Sequence, residues 1–154
     1  MKWYAWQCLN GDRAGVLNFA VDDKCCKKAE TLIDGLNIGQ VISIGLFKPP
    51  NSPRHLDSKE DLYFDTDKNQ AFRTLLIEVT SENSLICAFA EGRALTLQVP
   101  YQLLGSISGG IARSRTHGYY GENTQPIELA DQSGNAIETE LWFWSCDSDS
   151  IFHY

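Results

Sequence analysis

The chain has 154 residues, 43% of them hydrophobic and 21% charged, with a formal net charge of −7. This length suits one globular domain spanning 1–154, at about 150 residues per domain, and it can bury a core without the help of disulfides or metals. The composition excludes wholesale disorder, and the acidity excludes non-specific nucleic-acid binding by the whole surface, because phosphates would be repelled.

Residues 2–9 are rich in aromatics and suit a strand; Asn10-Gly11-Asp12-Arg13 is a turn signal, and 15–21 reads as the returning strand of a hairpin. A signal peptide is not expected, since Gln7, Asn10, Asp12 and Arg13 break any apolar run at this end. One principal amphipathic helix is expected near residues 23–36. Asp22 or Asp23 caps it, and Cys25, Ala29, Leu32, Ile33 and Leu36 form one stripe. Residues 40–47 have the length and apolarity of a strand. Pro49, Pro50 and Pro53 make 48–61 a loop, with a helical turn near 57–63.

Leu75, Ile77 and Val79 alternate with Thr74, Glu78 and Thr80, which marks 72–80 as a strand with one wet face. Strands 85–90 and 94–99 flank Glu91-Gly92-Arg93 as a hairpin. Residues 105–121 hold five of the twelve glycines and read as a second irregular stretch. A last hairpin joins 127–130 to 136–144 around Asp131–Asn135. The chain shows no internal sequence repeat. Together these elements predict an α+β fold, with a largely antiparallel β-sheet built from hairpins and one principal helix. No run approaches the roughly 18 consecutive apolar residues of a membrane span.

The five cysteines (Cys8, Cys25, Cys26, Cys87 and Cys146) are odd in number and contain no Cys-x-x-Cys pair. That argues against a zinc ribbon or redox pair and for reduced thiols in a cytoplasmic protein. Asp65-Thr66-Asp67-Lys68-Asn69 begins like a calcium loop, but Gln70 and Leu76 stand where that loop needs glycine and a bidentate glutamate. Gly105–Gly110 lacks the Gly-Lys-Ser/Thr of a phosphate loop. No metal or cofactor is implied, and no spacing marks a catalytic constellation. His55, His117 and His153 are far apart in sequence, and Cys87 alternates as a core residue.

Charge is the strongest signal. Residues 1–50 are net +1, 51–100 net −3 and 101–154 net −5. After Arg115 there is no Lys or Arg, while Glu122, Glu128, Asp131, Glu138, Glu140, Asp147 and Asp149 stand among Trp142, Phe143 and Trp144. A second acidic group, including Asp57, Glu60 and Asp61, lies in the 48–61 loop and just beyond it. Carboxylates beside aromatics suit the binding of a basic protein. The expected function is therefore a protein-binding domain of inhibitor or immunity type that neutralises a basic effector such as a nuclease toxin. Asp57, Asp61, Glu138, Glu140, Trp142 and Trp144 are its candidate contacts. The alternative is a small enzyme or anionic-ligand domain using Arg113, Arg115, His117 and Tyr119, whose residue types hold phosphates and stack rings. A homo-oligomer built on the aromatic C-terminal strand is a third reading.

Overall fold

A computed structural model of the chain describes residues 2–9, 15–47, 69–90, 93–117, 119–121, 129–131, 133–135 and 141–146. Strands β1 (Trp3–Cys8) and β2 (Leu17–Asp22) form the first expected hairpin, with Trp3 opposite Val21 and Gln7 opposite Leu17. Gly15, at φ 89°, supplies the left-handed turn conformation that only glycine adopts without strain. Both strands are buried at nearly every successive residue rather than at alternate ones, Asn18 and Asp22 of β2 included, so both are covered on both faces.

The Oδ1 of Asp22 accepts the Lys24 N–H at 3.0 Å and caps a 3₁₀ turn, Asp23–Cys25, that leads into helix α1 (Cys26–Asp34). Because the first turn is 3₁₀, the buried stripe runs through Cys26, Ala29 and Ile33; Cys25 is only half-buried and Leu32 is exposed. Strand β3 (Val41–Gly45) follows. Strands β4 (Asn69–Ala71) and β5 (Thr74–Thr80) come next; the loop expected over 48–61 and the helical turn expected near 57–63 lie outside the described residues. The hairpin of β6 (Leu85–Ala90) and β7 (Ala94–Pro100) forms as expected.

The glycine-rich stretch is not irregular. After a 3₁₀ turn, Tyr101–Leu103, residues Leu104–His117 form helix α2, the longer of the two α-helices described. Leu104, Ile107, Ile111 and Ser114 recur at helical spacing and are buried. That burial outweighs the low helix propensity of glycine. A Cβ on Gly110 would stand 2.5 Å from Phe143, whereas Gly105 and Gly109 face open space. Gly109→Ala should therefore stabilise the protein by about 0.5–1 kcal/mol, through the unfolded chain it restricts. Gly110→Ala should destabilise it by about 1–3 kcal/mol, because the buried ring has to move. Urea unfolding of the two variants checks the opposite signs.

Strands β8 (Tyr119–Gly121), β9 (Leu129–Ala130) and β10 (Leu141–Cys146) complete the described chain. Of the expected last hairpin, 127–128 and 136–140 lie outside the described residues, and 129–130 and 141–144 do not pair with each other. Asp131 does make its turn, accepting the N–H groups of Ser133 and Asn135 at 2.9 Å, but β9 pairs with β6 and β10 with β2 and β8. The two strands belong to different sheets.

The sheet orders are β4-β1-β2-β10-β8 and β9-β6-β7-β5-β3. They reveal a duplication that the sequence does not show. Among the described residues, each half of the chain runs hairpin, 3₁₀ turn, α-helix, strand, short strand, long strand. In each half the long strand (β5 or β10) crosses to the other half's sheet. There it pairs in parallel beside the second strand of the hairpin, β7 or β2, and it brings the strand after the helix with it, antiparallel. The short strand stays on its own hairpin, β4 on β1 and β9 on β6. The sheets are thus largely antiparallel, with parallel pairs at the two exchanged strands and at β6–β9, where the second half departs from the antiparallel β1–β4 pair of the first. The two halves share this connectivity and no sequence repeat, because burial constrains which positions are apolar and not which residue fills them.

One core takes Leu17, Phe19 and Phe143 from the first sheet, Leu75, Leu85, Leu95 and Leu97 from the second, and Ile33 and Ile111 from the helices. The helices pack on each other, and Ser108 Oγ donates to Asp34 Oδ1 across their contact at 2.6 Å. No described helix is long and apolar enough to cross a membrane.

Candidate functional site

The outer face of the first sheet, turned away from that core, carries a second cluster: Tyr4, Trp6, Cys8, Val16, Ala20 and Trp144, with Trp142 packed against it. The register sets the cluster in rows. Trp144, Ala20 and Tyr4 lie across β10, β2 and β1; Trp142, Asn18 and Trp6 lie in the next row. Small or narrow residues on the central strand leave room for the large rings on either side.

Asn18 is fully buried and pins this face. Its Oδ1 accepts the Trp144 Nε1–H at 3.0 Å, and its Nδ2 donates to the Val16 carbonyl at 3.3 Å and to Cys8 Sγ at 3.4 Å. The rings of Trp142 and Trp144 stack with centroids 5.7 Å apart and planes 23° from parallel. At the far side Phe47 tilts against Tyr4 at 6.3 Å, and the Lys2 ammonium stands 5.6 Å over the Phe47 ring. Phe47 is 48% exposed. The cluster is buried and reaches solvent at Trp142 and Phe47.

This geometry corrects one candidate contact. Trp144 was expected at a partner surface, yet it is 1% exposed and its polar edge is spent on Asn18. Trp142, two residues earlier on the same face, is half-buried and keeps accessible surface. Asp57, Asp61, Glu138 and Glu140 lie outside the described residues. Asp131, another of the C-terminal carboxylates, works inside its own turn. The backbone N–H of Asn135, then its side chain and the Ser133 N–H, hold the Asp131 carboxyl below its ordinary pKa. It stays ionised, and the turn loses this support only as pH falls through the lowered value.

Of Arg113, Arg115, His117 and Tyr119, the side chains of His117 and Tyr119 lie outside the described residues. Arg113 and Arg115 leave α2 about 200° apart, at 3.6 residues per turn. Arg115 turns to α1, where its Nη1 is 3.6 Å from Glu30 Oε1, a buried atom that makes no hydrogen bond. Lys27 approaches the other oxygen of Glu30 at 3.7 Å. The Arg115 guanidinium therefore serves as counter-charge for a carboxylate at the helix–helix contact. His117 ends α2, and Tyr119 begins β8 opposite Trp144.

Cys87 lies on the inner face of β6, where burial pushes its thiol up to about 12, so it stays protonated and is a poor nucleophile. No disulfide and no metal-binding cluster of His, Cys, Asp and Glu occurs among the described residues. The aromatic face itself was missed by sequence reasoning. Its signal was the apolar run 3–6 and the run 16–21, interrupted only by Asn18, which mark strands buried on both faces.

The chain matches no known family model, and comparison with curated proteins and with solved structures gives no significant match.

Proposed function

We propose that this chain is a small cytoplasmic protein-binding domain of inhibitor or immunity type, which neutralises a basic protein effector such as a nuclease toxin. The observation that carries the reading is the run of seven carboxylates after Arg115 with no Lys or Arg among them, in the segment that also holds the half-buried Trp142. Opposite charge steers encounter, and a pre-ordered aromatic anchor slows release. Trp142 is pre-ordered because it stacks on Trp144, which Asn18 holds in place. An arginine or lysine of the partner would lie over its ring as Lys2 lies over Phe47.

The test is association kinetics across a salt series, with the basic protein recovered from the native cell. Replacing Glu138, Glu140, Asp57 and Asp61 together by their amides should slow association about tenfold or more at low salt and flatten its salt dependence. Fold stability should change little, because exposed charges are worth roughly 0–1 kcal/mol each. A quadruple variant that associates as fast as wild type, with the same salt slope, would sink the reading.

A further inference from the structure

Among the described residues, strand β3 forms one edge of the second sheet and pairs with β5 alone. The hydrogen bonds at its two ends show which residues face that partner. Val79 N–H donates to the Gln40 carbonyl at 3.0 Å, and Leu46 N–H to the Arg73 carbonyl at 2.8 Å. In an antiparallel ladder the bonded residues alternate. Gln40, Ile42, Ile44 and Leu46 therefore bond inward, and the N–H and C=O groups of Val41, Ser43 and Gly45 point out from the open edge. Those three residues are exposed, Val41 at 58%.

Edge strands of this kind are normally blunted by lysine, proline, a bulge or a covering segment. Here none of these devices is present in the strand. Residues 36–47 contain no charged residue and no proline, β3 runs in unbroken register with β5, and its alternate residues are open to solvent. Two of the exposed large apolar residues flank the edge, Ile38 at 57% and Phe47. Ile42 and Ile44 are only partly buried against the core, so the core itself is left uncovered along this line.

We infer that β3 pairs antiparallel with β3 of a second copy of this chain, about a two-fold axis at Ser43, joining two five-stranded sheets into one. The sequence of the strand is self-complementary in that register. Ser43 meets Ser43 of the other copy, Val41 meets Gly45, and Ile42 meets Ile44. The outward groups of each copy then face one another as hydrogen-bonded pairs. The bulk of valine falls against the bare backbone of glycine, and the isoleucines close the rim of both cores in the tighter non-hydrogen-bonded positions. Two copies of a chain at −7 repel over most of their surface, and an uncharged strip is where they can meet. This inference stands independently of the basic-partner reading.

Sedimentation equilibrium of the full chain tests it. Wild type should show a mass of twice 17.3 kDa at high protein concentration. Ser43→Pro removes an outward N–H that β5 does not use, a position where an edge strand tolerates proline, and Val41→Lys places a charge at the seam. Each should weaken association about tenfold or more while leaving the thermal transition of the dissociated protein in place. Thr96→Lys, on a central strand of the same sheet, should leave the dimer intact. If Ser43→Pro fails to fold, Val41→Lys alone decides. The inference is overturned by a wild type that stays monomeric, by dimers indifferent to both edge substitutions, or by dissociation with Thr96→Lys alone, which would mean that the sheets stack face to face.

Discussion

Separated into residues 1–82 and 83–154, the chain is expected to yield two fragments that do not fold alone and that regain the native fold when mixed. The exchanged strands are the reason. In the first fragment β5 would lose β7, its partner over seven residue pairs from Thr74–Ala94 to Thr80–Pro100, and β2 would lose β10. Leu75, Ile77 and Val79 would lose the residues they are buried against. Each half would present open strand edges and half a core, too little to offset the ordering of its backbone at about 1–2 kcal/mol per residue. Far-UV circular dichroism and thermal melting check it. Neither fragment alone should show a cooperative transition. Their equimolar mixture should show one, at a lower and concentration-dependent midpoint, because joining two chains costs translational and rotational freedom. A first half that melts cooperatively as a monomer would refute this account of the fold.

Trp144→Ala should cost about 3–5 kcal/mol, the range for emptying the site of a large buried aromatic. It removes a fully buried ring, the stacking partner of Trp142 and the donor to Asn18. Asn18→Ala should cost about 1–3 kcal/mol, since the Trp144 indole N–H would be left buried without its acceptor. The two residues share one hydrogen bond, so the double variant should cost less than the sum of the singles. Trp142→Ala should behave differently. It gives up a stacking contact worth about 0.5–1.5 kcal/mol and part of its burial, so its effect on stability should be the smaller one. Its larger effect should fall on dissociation from the partner. Urea unfolding followed by tryptophan fluorescence separates the stability effects. Equal losses for Trp142→Ala and Trp144→Ala would contradict the different burial of the two rings.

Several elements were legible in the sequence because their causes are local. The alternation of Leu75, Ile77 and Val79 marks a strand whatever it pairs with. Gly15 closes the first hairpin, the short connection after Ala90 joins the strands of the second, and Asp22 caps the turn into α1. The fold class and helix α1 follow from these signals alone. So does the distribution of charge, which no folding step alters.

The rest was decided by contacts between residues far apart in the chain. Glycines at 105, 109 and 110 argue locally against a helix, and α2 forms because Leu104, Ile107 and Ile111 enter a shared core and Gly110 lets Phe143 come close. The turn at Asp131–Asn135 was read correctly, but β9 before it and β10 after residues 136–140 found partners in opposite sheets, a choice that turn chemistry does not make. The alternation in Trp142-Phe143-Trp144 places both tryptophans on one face of β10. Only the tertiary structure, with Asn18 of β2 beside them, buries Trp144 and leaves Trp142 at the rim. Burial on an outer face depends on what the sheet meets, and that information is spread over strands more than a hundred residues apart, between Asn18 and Trp144.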